Sequence, residues 1–150
     1  MNRRASQLPL LVLEDSDEDF DTVLEVAEKS GIVNPIQRAN TGDDCLHLLL
    51  EDVERDAPLP AVLLLDLNTP GMDGRGALAA IRARPALCRL PVVVLSTSSN
   101  PVDIAYCYAQ GANAYHVKPV RYGDHLRVLE QIMTYWLRTV TLPDAEPERQ

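Results

Sequence analysis

The sequence predicts an α/β domain: a five-stranded parallel sheet with helices on both faces. Short apolar runs alternate with stretches of helical periodicity along the whole chain. Several of those runs are unbroken Val and Leu, as in parallel strands buried on both sides. The 150 residues, 46% of them hydrophobic, suffice for one sizeable core.

In chain order, Leu10–Leu13 is the first strand. Phe20, Val23, Leu24 and Ala27 then recur at helical spacing, with Ser16 or Asp17 placed to cap the helix and Gly31 just past its end. Pro35–Arg38 and Asp43–Asp52 form the second strand and helix, Ala61–Leu65 and Gly74–Arg84 the third pair. Val92–Leu95 precedes a helix over Val102–Gln110, which Pro101 opens and Gly111 stops. Ala114–Val117 and the long segment Tyr122–Thr139 complete the set. There is no internal repeat. Residues 8–140 read as one domain and residues 141–150 as a polar, Pro-containing tail.

Composition narrows the function. A formal net charge of −8 argues against nucleic acid or an anionic membrane as main partner, since both reward basic surfaces. Cys45, Cys88 and Cys107 have no C-x-x-C spacing and read as reduced thiols. His47, His116 and His125 lie at no metal-ligand spacing from them, so packing or surface roles are expected for all six. The apolar run after Arg3-Arg4 is too short for a signal peptide and ends in acids. No stretch approaches the ~20 apolar residues that span a membrane. A cytoplasmic protein is expected.

The densest chemical signal is Glu14-Asp15-Ser16-Asp17-Glu18-Asp19. Asp15, Asp17 and Asp19 open like a calcium-binding EF-hand loop. That loop needs Gly at its sixth position and Glu at its twelfth, where this chain has Phe20 and Val26. The EF-hand reading fails.

In open parallel sheets, ligands sit at the carboxyl ends of the strands. Glu14 and Asp15 follow the first strand, Asp66, Leu67 and Asn68 the third, Ser96 and Thr97 the fourth, and Lys118 with Pro119 the fifth. Three carboxylates, a hydroxyl and an ammonium would therefore converge. Crowded carboxylates repel, and Mg2+, which prefers oxygen ligands, is the usual remedy. Asp17, Glu18 and Asp19 suit the positive end of the following helix. The set fits phosphoryl transfer onto Asp66, with Mg2+, Lys118 and Ser96 stabilising charge on the transferring group.

Those residues, with the run Leu63-Leu64-Leu65-Asp66-Leu67-Asn68-Thr69-Pro70-Gly71-Met72-Asp73-Gly74 and Val117-Lys118-Pro119, resemble the receiver domain of two-component response regulators over roughly Leu8 to Thr139. The resemblance implies a flavodoxin-like strand order, 2-1-3-4-5. It makes Asp66 the phosphoacceptor and gives Mg2+ the carboxylates of Asp15 and Asp66, the Asn68 backbone carbonyl, and Glu14 through water. Lys118 would pair with the phosphoryl group, and Pro119 would follow a cis bond. Ser96 would bind the phosphoryl group and draw its loop inward, and Tyr115 would be the aromatic that changes rotamer with it. Thr69, where many receivers have Met, and Glu14, in place of the commoner Asp, depart from the pattern without removing a reactive group.

Three further features are similar to stand-alone regulators that serve phytochrome-type photoreceptor histidine kinases: the connection Glu51–Pro60, the run Leu95–Pro101 and the ending Trp136–Pro143. The expected partner is such a kinase, and the expected output is protein–protein interaction or phosphate buffering. Along the last helix, Leu126, Leu129, Met133, Trp136, Leu137 and Val140 form one apolar stripe that packs on the sheet. Val128, Ile132 and Tyr135 lie on a second face, and with Trp136 they suggest a homodimer. The rivals are a receiver that only binds, and a haloacid-dehalogenase-type phosphatase, which places its Asp motif on the first strand rather than the third. A flavodoxin-like flavin binder is disfavoured by the acids after the first strand, and a P-loop by the missing motif.

Overall fold

The computed structural model describes residues 8–67 and 73–143. It contains strands β1 (Leu10–Leu13), β2 (Ile36–Ala39), β3 (Val62–Leu65), β4 (Val92–Ser96) and β5 (Ala114–Val117). Helices α1 (Asp17–Lys29), α2 (Gly42–Glu54), α3 (Gly74–Arg82), α4 (Pro101–Ala109) and α5 (Tyr122–Thr134) follow them in turn. All strand pairs are parallel, in the order β2-β1-β3-β4-β5, as expected.

Side chains alternate across each strand, so the sheet divides the interior in two. Leu11, Leu13, Leu63, Leu65, Val92 and Val94 face α2, α3 and α4, meeting Leu49, Leu78 and Cys107. Leu10, Val12, Val62, Leu64, Val93 and Leu95 face α1 and α5, meeting Val23, Val26, Leu129 and Met133. Burying one such leucine contributes about 2 kcal/mol, which explains why β1, β3 and β4 read as continuous apolar runs.

The starts of α1 to α4 are capped by short polar side chains, each accepting a free backbone N–H, while α5 starts after Arg121 without a side-chain cap. Ser16 Oγ accepts from Asp19 N at 3.2 Å, Thr41 Oγ1 from Asp44 N at 3.1 Å, Asp73 Oδ1 from Gly76 N at 3.0 Å and Asn100 Oδ1 from Val102 N at 2.9 Å.

Several expected boundaries move. β2 starts at Ile36, one residue after Pro35, which has no N–H to give the ladder. α3 stops at Arg82, and the chain turns through a short 3-10 segment at Pro85–Leu87, because the residue before a proline leaves the helical region. α2 runs to Glu54, so four of the ten residues of the expected connection Glu51–Pro60 are helix. The last helix is two pieces: α5 ends at Thr134 and a wider π turn covers Tyr135–Thr139, closed by Val140 N–H to Tyr135 O at 2.8 Å. Within the expected tail, Leu142 packs on the α1/α5 side of the core, and residues 144–150 lie outside the described part.

The second apolar face of the last helix is corrected. Ile132 is only 2% exposed and belongs to the core of its own chain. Val128 and Trp136 are half-buried against that core, and Tyr135 is 49% exposed, its ring edge-on to Trp136. A 13-residue helix leaning on a sheet and on α1 hides more of its circumference than a single stripe allows for.

Candidate functional site

Register brings the acids together. Leu13 pairs with Leu65, and Asp66 N–H donates to Leu13 O at 3.2 Å, so Glu14 and Asp66 leave adjacent strand ends side by side. Carboxylate oxygens of Glu14, Asp15 and Asp66 all lie within 4.8 Å of one another. Asp15 is exposed, Asp66 half-buried and Glu14 buried.

Each acid is held in place. Glu14 N–H donates to Ala39 O at 3.0 Å, and its own carbonyl accepts from Arg38 Nε at 2.9 Å. The Arg38 guanidinium also lies over the Phe20 ring and pairs with Asp17 at 2.7 Å, which uses one expected first-turn acid outside the site. Glu14 Oε2 accepts the Ser16 N–H at 3.2 Å. Behind Asp66, the first residue of α3 packs directly on the backbone: Gly74 N–H donates to Leu67 O at 3.0 Å, and a Cβ on Gly74 would fall 2.4 Å from Asp66 O. No side chain fits there, so Gly74 sets how closely α3 approaches the acid.

Burial, with the Asp66 charge second, raises the Glu14 carboxyl to about 7. A cluster of hard oxygen donors, one of them reluctant to ionise unaided, suits a divalent cation such as Mg2+ or Mn2+. The residues present therefore fit the metal expected from the sequence. Asn68, the expected source of a backbone carbonyl, lies outside the described residues.

Lys118 reaches the site from the end of β5. Its side chain is 15% exposed, with Nζ 3.3 Å from Asp19 Oδ2 and 3.9 Å from Glu14 Oε1. Its backbone N–H donates to Ser96 O at 2.6 Å, tying the ends of β4 and β5 together. Asp19 was expected to serve only the start of α1. Instead it is the nearer carboxylate to Lys118, brought there by the approach of β5. His125 was expected to pack, and it does, as part of the wall formed with Glu14, Asp19, Asp66 and Lys118 over Val12, Leu64, Leu95 and Leu129.

Ser96 is 1% exposed at the end of β4. The Tyr115 hydroxyl donates to Ser98 O at 2.8 Å, so the ring is turned towards the loop that follows Ser96. The expected cis bond before Pro119 is corrected: all peptide bonds among the described residues are trans. Trans is the preferred isomer of an X–Pro bond by about 0.5–1 kcal/mol, and the surroundings of Lys118 and Pro119 leave that preference in place.

The family model of the response regulator receiver domain matches residues 10–130. The response regulator Rcp1 of Synechocystis is 39% identical over 137 residues, covering 91% of this chain and 93% of that protein. The solved Mn(2+)-bound form of Rcp1 has a TM-score of 0.82 at 37% identity, covering 91% of this chain and 99% of that one. A phosphorylated cyanobacterial phytochrome response regulator, RcpA, has a TM-score of 0.84 at 34% identity, covering 92% and 99%. A third, RPA3017, described in red light signalling of R. palustris, has a TM-score of 0.80 at 33% identity, covering 91% and 99%.

Proposed function

This chain belongs to the family of response regulator receiver domains, and from that premise we propose that it accepts a phosphoryl group on Asp66 from a histidine kinase of the phytochrome photoreceptor type. The observation that carries the reading is the convergence of Glu14, Asp15 and Asp66 within 4.8 Å, with the Lys118 ammonium 3.9 Å from Glu14. In the transfer, an Asp66 carboxylate oxygen forms a bond to phosphorus. The bond to the donor nitrogen breaks, and the leaving imidazole takes its electron pair. Lys118 exchanges part of its contact with Asp19 for a phosphoryl oxygen, and the Ser96 hydroxyl donates to another. Asp15, Asp66 and the Asn68 carbonyl would hold Mg2+, with Glu14 through water, and the bound ion would offset the negative charge of the transferring group. Hydrolysis of the acyl phosphate by water returns the free carboxylate.

The similarity to a cyanobacterial phytochrome response regulator and to a regulator of red light signalling supports the choice of donor. Signalling in the cytoplasm by protein–protein contact completes the proposal; no described helix is long and apolar enough to cross a membrane. A homodimer through the C-terminal helical segment is proposed on Val128, Tyr135 and Trp136, with Ile132 now excluded. Sedimentation velocity at micromolar concentration tests it, and a strictly monomeric profile refutes it.

The chemical test is incubation of wild type and Asp66→Asn with acetyl phosphate, with and without Mg2+, followed by intact mass. A Mg2+-dependent gain of one phosphoryl group on wild type alone supports the reading. No gain on either protein refutes it and favours a receiver that works by binding only.

A further inference from the structure

Four hydrogen bonds meet at Ser98 in the loop between β4 and α4. Its N–H donates to Ser96 Oγ at 3.1 Å, and its carbonyl accepts the Tyr115 hydroxyl at 2.8 Å. Its own hydroxyl donates to Asp103 Oδ2 at 2.6 Å and accepts the Asn100 N–H at 3.2 Å. The other oxygen of Asp103 meets Arg75 Nη2 at 2.8 Å, and Arg75 Nη1 lies 3.6 Å from Asp73, the cap of α3. A continuous polar chain thus runs from the start of α3, next to Asp66, across to Ser96 and Tyr115.

The chain has a direction. Arg75 and Asp103 stand in the first turns of two different helices, each anchored by its own cap. Hydrogen bonds from Ser98 and Arg75 keep the Asp103 carboxyl below the ordinary carboxylate range, so it stays a strong acceptor at neutral pH. Ser98 is then fixed by its hydroxyl, and its N–H fixes the oxygen of Ser96. That contact occupies a lone pair of Ser96 and leaves its O–H free to donate.

We propose that Arg75 and Asp103 are positioning residues for phosphoryl transfer, holding through Ser98 both the Ser96 hydroxyl and the Tyr115 ring in the geometry the transfer uses. The proposal rests on the reading of Asp66 as the acceptor. Neither residue touches the reacting group. Through Ser98, Asp103 acts on Ser96 and Tyr115 at two hydrogen bonds' remove and Arg75 at three, and the Arg75–Asp103 pair, only partly buried, contributes modestly to stability.

The test uses Arg75→Ala and Asp103→Asn, each alone and combined with Ser96→Ala, in the full chain. Phosphorylation by acetyl phosphate with Mg2+ is followed by intact mass, beside melting curves and the NMR signals of the Tyr115 ring. Each single variant should slow phosphorylation on the order of tenfold, as misplacement of a charge-stabilising donor does. Combined with Ser96→Ala, each should add nothing further. The Tyr115 ring signals should shift in both variants, while melting barely changes. Wild-type rates, or the same slowing with and without Ser96, would overturn the proposal. If wild type itself takes no phosphoryl group, the Asp66 reading fails separately. The Tyr115 signals then decide, and unchanged signals overturn the proposal.

Discussion

Replacing Gly74 with Ala tests whether the close packing of α3 on Asp66 is built into the site. The added Cβ would lie 2.4 Å from Asp66 O, 2.5 Å from Leu67 Cα and 2.8 Å from Leu65 Cδ2. Two of those three atoms are backbone, so no rotamer change relieves the overlap. To restore the 3.4 Å of ordinary contact, α3 or the end of β3 must retreat by about 1 Å. Overpacking of this kind costs about 1–3 kcal/mol, and the backbone partners put it at the upper end. Alanine returns up to ~1 kcal/mol through its better helix propensity. The net loss is about 2 kcal/mol, which for a chain of this length lowers the melting temperature by about 4–8 °C. A 1 Å displacement of a reacting group can cost ~100-fold in rate, so phosphorylation of Asp66 should fall by up to that factor. Thermal melting followed by circular dichroism and intact mass with acetyl phosphate read the two effects. A variant that melts within about 1 °C of wild type and reacts at the same rate refutes the packing reasoning.

Other expectations follow from the same geometry. Mg2+ at about 100 times its dissociation constant should stabilise the protein by ~2.7 kcal/mol, or about 5–10 °C in melting temperature. Asp15→Asn should remove most of that gain in the same melting assay, and an undiminished gain would place the metal elsewhere. Lys118→Met should slow phosphorylation on the order of 100-fold, the scale for losing a charge-stabilising group, measured by initial rates with acetyl phosphate. Burial first, and the Lys118 charge second, hold His125 below its ordinary 6.5, with Asp19 opposing. The folded chain therefore prefers neutral His125, and its contribution is complete above pH 6.5 and lost as pH falls below that value. Relative to His125→Gln, wild type should lose melting temperature between pH 7.5 and 5.5; a constant difference would contradict this.

Most of the fold was legible because its signals are local. The apolar runs of β1, β3 and β4 are continuous since both faces are covered, and Ser16 and Pro101 mark helix starts by their own chemistry. Glu14, Asp15, Asp66 and Lys118 could be grouped because each directly follows a strand, and strand ends converge by topology. What stayed hidden depends on packing between distant segments. Asp19 looked like one more first-turn acid, and only the approach of β5 shows it beside Lys118. Ile132 looked outward from periodicity, until α5 was placed between the sheet and α1. The Arg75–Asp103 contact joins residues 28 apart whose separate settings are ordinary helix starts.

The sheet also works as a partition. Tyr115 packs with the interior shared by α2, α3 and α4, while Leu10, Val12, Val23 and Leu129 fill the other compartment, under α1 and α5. Neighbouring residues of one strand, such as Leu64 and Leu65, therefore take part in different packing problems. If phosphoryl transfer draws the Ser96–Ser98 loop inward and turns Tyr115, as the resemblance implies, the repacking would fall in the α2/α3/α4 compartment, where Tyr115 packs. The α1/α5 surface would then keep one shape in both states. A partner that must recognise the protein in both states has a constant surface to read, and a partner that must tell the states apart has to look on the other side.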